Sequence, residues 1–464
     1  MQSVLTDPTK TMNINILALG GLLIFSGCVS VPENRADRTE EADKLPENYS
    51  AEAFPQLEIV DSLLNLFNDE DVTRYTQLAL ENNPDLLRAY AQMEEAGFNF
   101  QKTRGNQFPS VSANASPSRS SSATRATGNT YSASLDARWE VDVWGELRSR
   151  TDASQADLAA AEANFEARRQ SLAAQTMQSW FDLLAATQLL DLAERQRDSF
   201  ASIHRLVERR YERGTATITE VELAHTDAAD ARADFIARTN DRDQSARALK
   251  ALIGIYPDAT ITAGLNWPAL NRTVPSDLPS ELLLTRPDII AAFQNIRASD
   301  ARTQAAYADL FPSFTLTASG GRSSDTLADL GRSAFDVWSL AAQITAPIYE
   351  GGSRRAEVGA AEQRAEQAYQ NYRSVVLNAF REVEDALNSE TSLAREESAR
   401  LEALYAARRA EAKSLRDYES GLIDLLDLLQ TQRRVFTNEI QTINLHRARL
   451  SNRVSLALAL GKGV

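Results

Sequence analysis

Two carboxylates, Asp424 and Asp427, are the residues whose spacing most plainly suggests chemistry. They follow Gly421 closely, and an i, i+3 separation on a helix puts both on one face. Repeated about a symmetry axis, the pair would form stacked rings of carboxylates, in which like charges repel and cations concentrate. A plainer role stands beside that one: acids in the first turn of a helix offset its dipole. Catalytic sets are missing. His204, His225 and His446 stand singly in charged stretches, without the clustered Cys, Asp or Glu of a metal site. No P-loop, GxGxxG, GxSxG or HExxH motif occurs, so the sequence points away from an enzyme.

The elements that must position these residues come in duplicate. Asn83-Pro84-Asp85 and Phe108-Pro109-Ser110 return as Arg286-Pro287-Asp288 and Phe311-Pro312-Ser313 at a spacing of 203 residues. Tyr211-Glu212-Arg213-Gly214 returns as Tyr418-Glu419-Ser420-Gly421 at 207. The 464 residues therefore read as two copies of one unit, 63–255 and 281–464, joined by a linker over 256–280. The formal net charge of −15 argues against nucleic acid as a partner and fits a lumen that favours cations.

Ahead of the first copy, an apolar run from Ile14 to Phe25 follows Lys10 and leads into Phe25-Ser26-Gly27-Cys28. The run is too short to span a bilayer and resembles a lipoprotein signal over 1–27. Cys28, the chain's single cysteine, would then carry a covalent lipid, the only prosthetic group expected. Residues 28–62 form a polar tether.

Each copy opens with a helix started by a proline, then changes period. Tyr131, Ala133, Leu135, Ala137, Trp139, Val141 and Val143 alternate with Ser132, Ser134, Asp136, Arg138, Glu140 and Asp142. This two-residue rhythm is long enough for a tilted membrane strand, which needs about 9 to 11 residues. It predicts strands at about 110–124 and 130–143, and again at about 313–325 and 335–349. Long helical hairpins follow, at about 146–211 with 219–253 and about 353–418 with 422–460. Small residues at Val358, Ala361, Ala365 and Ala368 give the third of these a narrow coiled-coil seam. Four strands cannot close a barrel, and lipid tolerates no open sheet edge. At least two chains must pool their strands, and this arithmetic does not choose three over two.

The segment Leu278-Pro279-Ser280-Glu281-Leu282-Leu283-Leu284-Thr285-Arg286-Pro287-Asp288-Ile289 resembles the opening of the second repeat in the TolC family of outer-membrane efflux proteins, lipoprotein (OprM/NodT-like) branch. Trp139-Glu140-Val141-Asp142-Val143-Trp144-Gly145 and Pro347-Ile348-Tyr349-Glu350-Gly351-Gly352 resemble that family's strand-to-helix junctions. The resemblance implies a homotrimer with a twelve-stranded outer-membrane β-barrel, set in outer-membrane lipid, and a twelve-helix periplasmic α-barrel. It also implies a tripartite pump with a periplasmic adaptor and an inner-membrane transporter, the chain passively conducting small molecules. Asp424 and Asp427 would be periplasmic gate and selectivity residues. The hairpin tips, Arg213, Gly214, Thr215 and Gly421 with Leu422, are candidates for adaptor contact, although glycine in a turn needs no partner to explain it. Two other readings remain open at this point: the duct of a type I protein secretion system, and a non-conducting coiled-coil scaffold lipoprotein.

Overall fold

The structure, a computed structural model, describes residues 34–37, 49, 58–59, 62–122, 125–273, 285–332 and 336–464. Cys28 and its signal lie outside the described residues. From Arg35 onward the chain forms one compact unit. Helices α1 (Glu70–Asn82) and α2 (Pro84–Gly105) precede a hairpin of β2 (Ser110–Ser122) and β3 (Arg125–Val141). Two long helices follow, α3 (Glu146–Glu212) and α4 (Ile218–Ile253). The second copy gives α5 (Pro287–Ala308), β5 (Ser313–Ser324), β6 (Asp336–Thr345), α6 (Ser353–Glu419) and α7 (Leu425–Ala459). Two short strands, β1 (Glu58–Ile59) and β4 (Arg272–Thr273), pair in parallel and tie the start of the chain to the linker between copies.

The local causes are visible. Asn83 caps α2 by accepting from the amides of Asp85 and Leu86, and Pro84 occupies the first turn, where no amide is missed. Helix α3 has no side-chain cap at Gly145; instead the Asp142 carboxylate accepts from the amides of Leu147 and Arg148. Neither α3 nor α6 contains proline, and each runs 67 residues, about 100 Å at 1.5 Å per residue. Strand β6 stops at Thr345, short of the expected 349, because Pro347 has no amide to give the ladder. Helix α7 starts at Leu425 rather than 422, because Asp424 is its cap.

The four long strands form one antiparallel sheet in the order β2-β3-β5-β6, so the two hairpins lie side by side. Next to the sheet, α3 packs between α2 and α5, and α5 packs on α6; farther away, α3 packs on α4 and α7, and α7 on α6. The main core lies where α1, the segment 63–67 before it and the end of α7 meet this helix layer, around Phe181, Met177, Leu183, Val383, Leu450 and Val454. The duplication is repeated in atomic detail there. Asn83 donates to the Leu252 carbonyl at 2.9 Å, and its counterpart Arg286 donates to the Ala459 carbonyl at 3.1 Å.

Candidate channel wall and helical tips

The register sorts the sheet residues onto two faces. Val141 lies opposite Phe314, Trp139 opposite Leu316, and Ala137 opposite Ala318. That row continues through Ile344, Ala342 and Leu340 on β6. The other face carries Ser112, Asn114 and Ser116 opposite Asp136, Ser134 and Ser132, then Thr315, Thr317 and Ser319, then Gln343. Since residues opposite each other share a face, one side is apolar across all four strands and the other is a hydroxyl and amide surface. The apolar side is bare in the single chain, with Trp338 83% and Leu340 73% exposed. A charged pair, Arg322 with Asp336 at 2.7 Å, closes this face at the end of the sheet farthest from the helices. At the helix end, Trp144 stacks on Phe311 with ring centroids 4.8 Å apart, and Trp139 donates to the Gln107 carbonyl. Aromatic rings at the margin of an apolar band are a feature that membrane barrels share.

On the polar face Asp136 accepts from Asn114 at 2.6 Å and from Ser134 at 2.9 Å. The carboxylate is thus held in place across two strands, with Arg138 and Glu140 next along the same face. A face so rich in charge and hydroxyl suits water, while its apolar reverse calls for an apolar covering.

The far ends of the hairpins are built alike. Gly214 and Gly421 take φ of 76° and 78°, the left-handed conformation that lets Thr215 and Leu422 bond back to the carbonyls of Arg210 and Asp417. Thr217 and Glu220 then form a capping box that starts α4. The corresponding start of α7 corrects the expectation for the acidic pair. Asp424 has extended backbone and caps the helix, accepting from the Asp427 amide at 2.9 Å, so it stands at the entry of α7, beside Asp427 but outside the helix proper. Both carboxylates are exposed in the single chain. Arg213, Gly214 and Thr215 are exposed at one tip, Gly421 and Leu422 at the other.

Sequence reasoning named Leu422, which is 74% exposed, but passed over two apolar residues near it: Ile218 and Leu426 are 54% and 61% exposed. An odd apolar residue at a capped helix start was the available signal. The tips are joined by Arg210, which donates to the Tyr418 carbonyl at 2.7 Å and lies over the Tyr418 ring, and by an ion pair between Asp227 and Arg433. Burial pushes the Tyr418 phenol above its ordinary range.

The histidines are not solitary, as the sequence suggested. His204 and His225 meet ring to ring, with centroids 5.2 Å apart, and His446 lies between Glu397 and Trp267. Even so, among the described residues no group of three or more His, Cys, Asp or Glu is placed to hold a metal ion. Among them, too, no helix is long and apolar enough to cross a membrane.

A duplicated hairpin sheet continuous with long paired helices is the architecture of one known family, described as outer membrane efflux protein, whose profile matches residues 75–255 and 278–462. The chain belongs to that family. It is 28% identical over 459 residues to the probable outer membrane lipoprotein SilC of Salmonella typhimurium, covering 97% of this chain and 99% of that one. It is 31% identical over 405 residues to outer membrane protein OprJ of Pseudomonas aeruginosa, covering 85% of each. Among solved structures, that of CusC superposes with a TM-score of 0.80 at 27% identity, over 89% of this chain and all of that one. This efflux family member is therefore an outer-membrane channel protein, not an enzyme.

Proposed function

We propose that three copies close a twelve-stranded barrel over a twelve-helix tunnel, and that this duct passively conducts small molecules to the exterior. One observation carries the reading: among the described residues, neither β2 nor β6 has a partner on its outer side. The outer members of the helix layer lie on the same two flanks, α2 and α4 on one and α6 on the other. An edge that differs from its opposite edge calls for head-to-tail contacts, and such contacts close into rings. About half of the backbone groups of β6 point away from β5, and each costs several kcal/mol if left unpaired in lipid. Closure by neighbours is therefore favoured by tens of kcal/mol, roughly, over a single chain in the bilayer.

In the ring, β6 of one copy takes β2 of the next. Asp424 and Asp427 then line the narrow end and favour cations, and the tips at Arg213, Gly214, Thr215 and Gly421 meet a periplasmic adaptor that delivers cargo from an inner-membrane transporter. Cys28, once lipidated, holds the chain to the outer membrane. The anchor is supported by the name of the relative SilC, a probable outer membrane lipoprotein. Light scattering on the detergent-purified protein should give a mass of three chains, and planar bilayers should give cation-preferring currents. Asp424→Ala with Asp427→Ala should raise leak and lower cation preference. A stable single chain with an intact sheet would end the proposal.

A further inference from the structure

The first described turn of the chain, Arg35–Asp37, is seated on α5 and α6. Asp300 of α5 is 5% exposed and accepts from the Ala36 amide at 3.0 Å. Arg35 places its guanidinium 3.7 Å from the other Asp300 oxygen and donates to Glu366 of α6 at 3.2 Å. Its own side chain is 10% exposed. A carboxylate buried this far needs donors or a counter-charge, and the turn brings both. Burial nonetheless raises the Asp300 carboxyl above its usual range, while Ala36, Arg35 and the guanidinium pull it back.

The position of this seat is informative. Glu366 is thirteen residues into α6, about 20 Å of helix below Ser353, which lies at the margin between sheet and helices. Seven steps of chain separate Cys28 from Arg35, and an extended chain of that length reaches about 25 Å. Were the seat empty, the next described attachment would be Tyr49, which packs on the main core. The free chain from Cys28 would then be three times as long, about 70 Å extended.

We propose that Arg35–Asp37 is a strap whose seat on Asp300 and Glu366 cuts the free tether of lipidated Cys28 to little more than the climb to the membrane margin. The seat thereby keeps the acyl anchor close to the flank of the helix layer, just below the sheet. This rests on the lipidation of Cys28 proposed above; the seat itself does not. Hydrogen exchange by mass spectrometry on the full-length protein in lipid nanodiscs reads the seat through the Ala36 amide. Wild type should exchange at least tenfold more slowly than Asp300→Asn or Arg35→Ala, and Cys28→Ala should match wild type. Exchange of wild type at the free-peptide rate would overturn the seat.

Deleting residues 29–32 leaves three steps between Cys28 and Arg35, about 10 Å, too short for the climb. Protection should then be lost in the acylated protein and return when Cys28→Ala is added. Protection kept in the acylated deletion variant overturns the tether claim. A mass without the acyl group removes the anchor and that claim together, while the seat is still read by its own variants.

Discussion

Adjacent residues at the middle of β6 give the sharpest test of the wall. Leu340 lies opposite Ala318 on the apolar face, and Ala341 lies opposite Thr317 on the polar one. Both sit at the centre of a strand running from Asp336 to Thr345, near the bilayer midplane if the sheet spans it. An arginine on the lipid face at that depth costs about 2–4 kcal/mol, against roughly zero for a side chain in a water-filled lumen. Leu340 is largely exposed in the isolated chain, so little packing inside the chain is lost by replacing it. Leu340→Arg should therefore destabilise each chain by about 2–4 kcal/mol, and a ring of three by about 6–12 kcal/mol. Ala341→Arg should leave stability nearly unchanged but add one positive charge per chain to the lumen, lowering cation preference. Urea unfolding in vesicles and the fraction of heat-resistant oligomer read the first effect; reversal potentials in planar bilayers read the second. An oligomer abolished by Ala341→Arg and untouched by Leu340→Arg would refute the assignment of faces.

Three further outcomes follow from the helix layer. Glu390 and Arg453 are each 1% exposed and paired, and Arg453 also donates to the Arg272 carbonyl. Glu390→Gln should thus cost about 3–5 kcal/mol by stranding a buried cation, while Glu390→Leu with Arg453→Met should recover most of it in a thermal double-mutant cycle. Gly254 has φ of 80° and a Cβ there would fall 2.4 Å from the Asn82 carbonyl oxygen, so Gly254→Ala should cost about 2–4 kcal/mol in chemical denaturation. Gly461→Ala, where the nearest atom is 3.0 Å away, should cost less. Hydrogen bonds from Lys250 and then Thr260 hold the Asp258 carboxyl down at about 2. Because the folded value is depressed, its stabilising contribution is complete above the ordinary carboxylate range and is lost as pH falls through about 2. Asp258→Asn should flatten that acid limb of the stability profile.

Much of the fold was legible because its signals are local. The Tyr131 to Val141 alternation marks strand and face together, and the long stretches without proline mark α3 and α6. The seam residues Val358, Ala361 and Ala365 are buried, as their spacing suggests, while Ala368, next along the seam, is half-buried. At the start of α7 a short-range hydrogen bond outweighed periodicity: the helix begins at Leu425 rather than 422, because Asp424 is the cap that accepts from the Asp427 amide. The histidine pair was missed for the opposite reason, since His204 and His225 belong to antiparallel helices and only the turn at Gly214 brings their rings together.

By itself the sequence determined the duplication, the period of each element, the two-faced strands and the incompleteness of four strands in lipid. All of these follow from neighbours along the chain and from what a backbone group costs when unpaired. Only the tertiary structure decided that β3 pairs with β5, leaving β2 and β6 as the edges, and that Arg453 is buried against Glu390. It likewise decided that Arg35 is seated on Asp300. Those facts depend on which side chains meet across tens to hundreds of residues, and packing selects such meetings without leaving a pattern in either partner's local sequence.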